Sequence, residues 1–212
     1  MEIVTCTEEG GVPTIPASKM REIITELTAG RLIVYPTETV YGLGCDPFDE
    51  TAVKRIYMAK RRPFDMPMSI AVRDVKMMEE IAYLDDRART LIKRFMPGPL
   101  TLLVKKRSCV PDILTASTNE VGIRIPQHPV ALELIGEFGP IVTTSANMHS
   151  HKSPVTCRDA VNDLGASVSI YIDGGPARLG TPSTIVQLTD DDPVIIRPGA
   201  IATETIEAAL NE

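Results

Sequence analysis

The sequence predicts an α/β fold of the α+β type, a mixed β-sheet with helices packed on it. Three observations lead there. Short apolar runs bounded by Pro or Gly read as strands. Longer segments carry apolar residues at helical spacing. The two kinds alternate irregularly, without the strict βαβ rhythm of a doubly wound sheet.

Taken in order, Ser18 is placed to cap a helix whose positions Met20, Ile23, Ile24 and Leu27 share one face, with Gly30 at its C-terminal stop. A strand follows at 31–35. Asp49 or Thr51 opens a second helix with Val53, Ile56 and Tyr57 inward, ending in Lys60-Arg61-Arg62 before Pro63. Segment 68–72 is a short strand, and amphipathic helices lie near 74–82 and 85–95. Strands at 98–105 and 121–126, a helix from His128 to Phe138 and a strand within 140–147 come next. Thr156 caps a short helix to Leu164. Strands at 168–173, 183–188 and 193–199 precede a last helix at about 203–210. Residues 148–156 read as a mobile loop. With no internal repeat or low-complexity linker, residues 1–212 are expected to form one domain.

The 212 residues suffice for a substantial core, and 43% are apolar. A net charge of -6 argues against a purely electrostatic nucleic-acid binder. Aromatics at 4%, with no Trp, argue against a base-stacking platform. Cys6, Cys45, Cys109 and Cys157 have no metal-ligand spacing, and the N-terminus lacks a signal pattern. No apolar run approaches a membrane span. These features predict a reduced, soluble, cytoplasmic chain.

Several stretches carry polar chemistry. In "RLIVYPTETVYGLG" an apolar strand runs into Thr37, Glu38 and Thr39, then Gly42 and Gly44. Extended backbone would put Thr37 and Thr39 on one face and Glu38 on the other. The glycines allow close approach or positive φ. This pattern fits a tight turn as well as a ligand loop. "KRRP" supplies either a solvated helix end or a phosphate clamp. "TTSAN" ends a strand in hydroxyls and an amide, suited to a turn or to phosphate and ribose. Arg124 sits inside the apolar "VGIRIP" and requires a partner, an internal carboxylate or a ligand's. His149 and His151 have no third ligand nearby, and no metal site is expected. There is no P-loop and no GxGxxG fingerprint.

The order "PTETVYGLG", "AKRRPFDMPMSI", "PGPLT", "VGIRIP", "TTSAN", "SPVT", "PSTIV" and "RPG" resembles the YrdC-type threonylcarbamoyl-AMP synthase family over about residues 18 to 210. The resemblance implies a single-domain form, a twisted mixed sheet around a large concave cavity. The extra C-terminal domain of some members is not expected here. It further implies that L-threonine, bicarbonate and ATP, with Mg²⁺ carried on the ATP, give threonylcarbamoyl-adenylate and pyrophosphate. A separate complex then transfers the group to tRNA. By position in the motifs, Lys60 and Arg62 are the catalytic pair and hold ATP phosphates. Thr39, Arg124, Thr143 and Ser183 contact threonine. Ser145, Asn147, Ser153 and Arg197 face the nucleotide. The implied partners are these substrates, with tRNA or the transfer complex beyond them, and no membrane. Met66 stands where the family often has Asn, and Ala71 where it often has His. An RNA-binding module, or a carbamoyl-adenylate enzyme with another acceptor, are the rival readings.

Overall fold

The computed structural model of the chain describes every residue except Asp191 and Glu212. Its centre is a ten-stranded mixed sheet in the order β1-β10-β4-β5-β9-β6-β8-β7-β11-β12. The strands are β1 (Glu2–Thr5), β4 (Ile33–Tyr35), β5 (Gly42–Gly44), β6 (Ser69–Ala71), β7 (Leu100–Lys105), β8 (Glu120–Arg124), β9 (Ile141–Ser145), β10 (Ile170–Asp173), β11 (Thr184–Gln187) and β12 (Val194–Arg197). A separate hairpin pairs β2 (Thr7–Glu9) with β3 (Val12–Thr14). The helices are α1 (Ala17–Thr28), α2 (Glu50–Lys60), α3 (Val75–Ile81), α4 (Asp86–Phe95), α5 (Pro129–Phe138), α6 (Cys157–Leu164) and α7 (Thr203–Leu210).

Local chemistry explains most boundaries. Asp49 accepts from the Thr51 and Ala52 amides and starts α2, as its position predicts. Thr156 and Asp159 form a reciprocal capping box on α6. Ser18 does not cap α1. The helix begins at Ala17, and the Pro16 carbonyl accepts from Lys19 and Met20 instead. Gly30 does follow the end of α1 with positive φ. Strands β1, β2, β3 and β5 have no strong sequence signal. The first three are short and mostly exposed, and β5 is Gly-Leu-Gly.

Alternation along the strands separates two cores. Val34, Ile70, Ile123, Val142 and Tyr171 face the larger one, which also takes in residues of α2, α3, α4, α6 and α7. Ile33, Tyr35, Ala71, Ile141, Ile170 and Ile172 face the smaller one, packed by α1 and α5. The smaller core takes no residue from β7, β8, β11 or β12. Helices α1 and α5 therefore cover only part of their sheet face.

Candidate functional site

The uncovered part of that face is the floor of a cleft. On β7, Leu100, Leu102 and Val104 enter the larger core, so Thr101 points the other way. The same parity turns Arg124 of β8 and Thr143 and Ser145 of β9 onto the cleft side. On β12, Ile195 packs against the larger core, and a register shift in the β11–β12 ladder beyond it brings Arg197 to the cleft, opposite Ile185. Thr37, Thr39, Arg62, Ser69, Ser153 and Ser183 complete its polar walls. Alternation thus makes one face of these strands greasy and the other a row of hydroxyls and guanidiniums.

The turn after β4 supplies one wall. Residues 38–40 are bends rather than strand, yet Thr37 and Thr39 both line the cleft and Glu38 does not. Thr37 Oγ1 donates to the Val40 carbonyl at 2.6 Å and lies 2.9 Å from Thr39 Oγ1. Its only proton is then committed, so Thr39 Oγ1 donates to it. Thr39 Oγ1 in turn accepts from Arg124 Nη1 at 3.2 Å. The polarity of this chain leaves Thr39 with room to accept, not to donate. Arg124 Nη2 donates to Glu38 Oε1 at 2.6 Å. The partner that Arg124 requires is therefore an internal carboxylate, both groups being almost fully buried. Arg124 Nε and Glu38 Oε2 have no hydrogen-bond partner.

The glycines of this stretch serve packing. Gly42 lies opposite Tyr35 in the β4–β5 ladder, and a Cβ on it would stand 3.1 Å from the ring. A Cβ on Gly44 would stand 2.5 Å from the Ile141 side chain. Neither has positive φ. Bare backbone is needed there for close approach.

Arg61, in the left-handed region at φ 50°, ends α2 and turns the chain. Arg62 Nη2 then donates to the Pro67 carbonyl at 2.9 Å and Nε to the Met66 carbonyl at 3.2 Å. Residue 66 thus anchors Arg62 through its backbone, a contact that needs no Asn side chain. Lys60 goes elsewhere. It is 1% exposed, and its ammonium donates to the carbonyls of Ser145 and Asn147. Burial, then Arg62, pushes its pKa down to about 7, with Asp163 opposing. Neither Lys60 nor Asn147 lines the cleft. The Asn147 amide donates to the Met148 and His151 carbonyls instead.

The stretch 148–156 is not the loose loop its composition suggests. The Pro154 carbonyl accepts from Tyr41, the Val155 carbonyl from Ala177, and Asp163 holds the Met148 amide and the His151 ring. These bonds seat Ser153 on the cleft.

The far wall is Ser183 and Arg197. Arg197 Nη2 donates to the Ser183 carbonyl at 2.7 Å, and Ser183 Oγ lies 2.8 Å from Thr101 Oγ1. Gly199 lets the chain beyond Arg197 cross this segment, since a Cβ there would stand 2.5 Å from the Pro182 carbonyl oxygen. Burial, then Arg124, then Arg62, lowers the Arg197 pKa from its usual value. Arg197 therefore senses both of the other cations.

The cleft encloses about 180 Å³. Its walls hold Arg62, Arg124 and Arg197 and no carboxylate. Such a surface binds anions, and guanidiniums suit carboxylate and phosphate oxygens. Among the described residues, no group of His, Cys, Asp and Glu could hold a metal ion. Ala71, where the family often has His, belongs to the smaller core and lies outside the cleft walls. Ser69 and Thr101 were not singled out from sequence. The available signal for Thr101 was a lone hydroxyl in an apolar strand. All four cysteines are unpaired. No helix among the described residues is long and apolar enough to cross a membrane.

Residues 25–199 match the Sua5/YciO/YrdC family model, described as "Telomere recombination". A curated relative from Pyrococcus abyssi, a threonylcarbamoyl-AMP synthase, is 40% identical over 92% of this chain and 58% of its own length. One of the same name from Bacillus subtilis is 42% identical over 87% of this chain and 54% of its own. The chain thus spans little more than half the length of these relatives. The crystal structure of P. abyssi Sua5 complexed with L-threonine superposes with a TM-score of 0.92 at 39% identity, covering 99% of this chain and 61% of that one. By family match, identity and fold, the chain belongs to the Sua5/YciO/YrdC family.

Proposed function

We propose that this chain is a nucleotidyltransferase that makes threonylcarbamoyl-adenylate from L-threonine, bicarbonate and ATP. The observation that carries the reading is the row of three arginines interleaved with hydroxyls in a cleft whose walls contain no carboxylate. The names of the relatives and the threonine complex of the P. abyssi protein support it.

In this reading Arg124 takes the threonine carboxylate with N–H groups its bonds to Glu38 and Thr39 leave unused. Thr39, Thr143 and Ser183 surround the amino acid. The enclosed volume is below the roughly 300–1,000 Å³ usual for ligand pockets, so it suits an amino acid, and the nucleotide extends past it. Arg62, Arg197, Ser145 and Ser153 face the nucleotide. Lys60 and Asn147 act from behind the wall, fixing the backbone that carries Ser145. The threonine amine adds to carbon dioxide derived from bicarbonate, giving a carbamate and releasing a proton. A carbamate oxygen attacks the α-phosphorus of ATP, and the bond to pyrophosphate breaks. Arg62 and Arg197 stabilise the charge that develops on the phosphates. Mg²⁺ enters with ATP as part of the substrate. The rest of catalysis is positioning and shelter of the carbamate from water. The product then requires a partner that transfers the group to tRNA.

The test is pyrophosphate release from ATP and Mg²⁺, with and without bicarbonate and L-threonine, with L-serine as control. Release that needs both threonine and bicarbonate, with the adenylate found by mass spectrometry, is the expected result. Release driven equally by other amino acids would point to a different acceptor. No release at all would overturn the reading.

A further inference from the structure

Glu38 is 2% exposed and is the one buried carboxylate among the described residues. It stands behind Arg124 rather than in the cleft wall. The bridge between them is single: one carboxylate oxygen meets one guanidinium nitrogen, while Glu38 Oε2 and Arg124 Nε stay unpartnered. A bridge built only for stability would use both oxygens, since the paired fork is the stronger form. This one holds Arg124 in place yet leaves part of its donor capacity free. The other two cations in the walls, Arg62 and Arg197, are held by backbone carbonyls and, for Arg197, a hydroxyl. Glu38 is then the buried negative charge set against three guanidiniums.

We propose that Glu38 is a positioning residue that aims Arg124 into the cleft and, through its charge, holds down the cleft's affinity for anions. The proposal rests on the cleft being an anion site, and it adds how product leaves. Pyrophosphate is an anion released by the proposed reaction, and three uncompensated arginines would retain it. The buried carboxylate lowers the field of the cleft without occupying its surface. Buried charges are weakly screened, so one carboxylate at this depth acts across the whole cleft.

The experiment is calorimetric titration of inorganic pyrophosphate into wild type, Glu38→Asp and Glu38→Gln, with urea melts of each. Gln keeps an acceptor for Arg124 Nη2 and removes the charge. Asp keeps the charge and withdraws it by one methylene. Pyrophosphate is expected to bind about tenfold tighter to E38Q. For E38D the gain is about two- to threefold. Both ligand-free variants should unfold at lower urea. In turnover, E38Q should show a lower kcat with no rise in KM for ATP, the mark of slow product release. A merely structural role would weaken binding as stability falls, so equal or weaker pyrophosphate binding in the folded variants overturns the proposal. E38D decides the matter if E38Q does not fold. Wild type that binds no pyrophosphate would instead remove the anion site on which the proposal stands.

Discussion

Replacing Lys60 with Met tests how the inner wall of the cleft is held. Lys60 is 1% exposed, and its folded pKa is pushed from 10.5 to about 7. Between those values the unfolded chain holds a proton that the folded chain has lost. Stability therefore rises with pH through this window, and the penalty for burying the charge is fullest below pH 7. Each pH unit is worth about 1.4 kcal/mol, so from pH 7 to 9 Lys60 adds about 2–3 kcal/mol. Its bonds to two carbonyls favour the charged form, which places the expected value at the lower end of that range. K60M removes the titration. Urea melts of both proteins at pH 7, 8 and 9 should show wild type gaining about 2 kcal/mol on the variant across the series. Cys6 and Cys157, which burial pushes to about 11, pull the other way above pH 9. They do so equally in both proteins and cancel in the difference. A difference that stays flat with pH would show that Lys60 remains protonated throughout, and would refute the reasoning.

Two further outcomes follow from the geometry. Gly44→Ala drives a methyl to 2.5 Å from Ile141 and 2.9 Å from the Val142 carbonyl. It should destabilise the fold by about 1–3 kcal/mol or more in a urea melt, because a packed ladder cannot give that distance cheaply. Arg124→Met and Arg197→Met should separate in steady-state kinetics. R124M raises KM for threonine at least about tenfold, and R197M does the same for ATP, the loss of a charged hydrogen bond being worth about 1.5–3 kcal/mol. Equal effects of both variants on both substrates would remove the assignment of two subsites.

Much of the fold could be read locally. Asp49 and Thr156 mark their helix starts, and short apolar runs in "LTLLVK", "VGIRIP" and "IVTTS", bounded by Pro or Gly, mark the strands. Arg124 inside an apolar strand announced a cation in need of a partner, and the structure supplied Glu38. Other features lacked a local signal. Strand β1 is held by register with β10, far along the chain, and β5 is a glycine-flanked Leu that becomes a strand between β4 and β9. The stretch 148–156 has a loop's composition, but bonds from Tyr41, Asp163 and Ala177 pin it.

The sequence by itself determined which residue types are available and which of them share a face in a regular strand, because side-chain alternation is a property of the extended chain. Only the tertiary structure decided which face became a cleft. Helices α1 and α5 seal Ile33, Ala71 and Ile141 but stop short of β7, β8, β11 and β12, and the polar face left bare there is the site. Tertiary packing also turned Lys60 inward to two carbonyls and set Glu38 behind Arg124. Those choices depend on partners 85 to 87 residues away in the chain, beyond the reach of any local pattern.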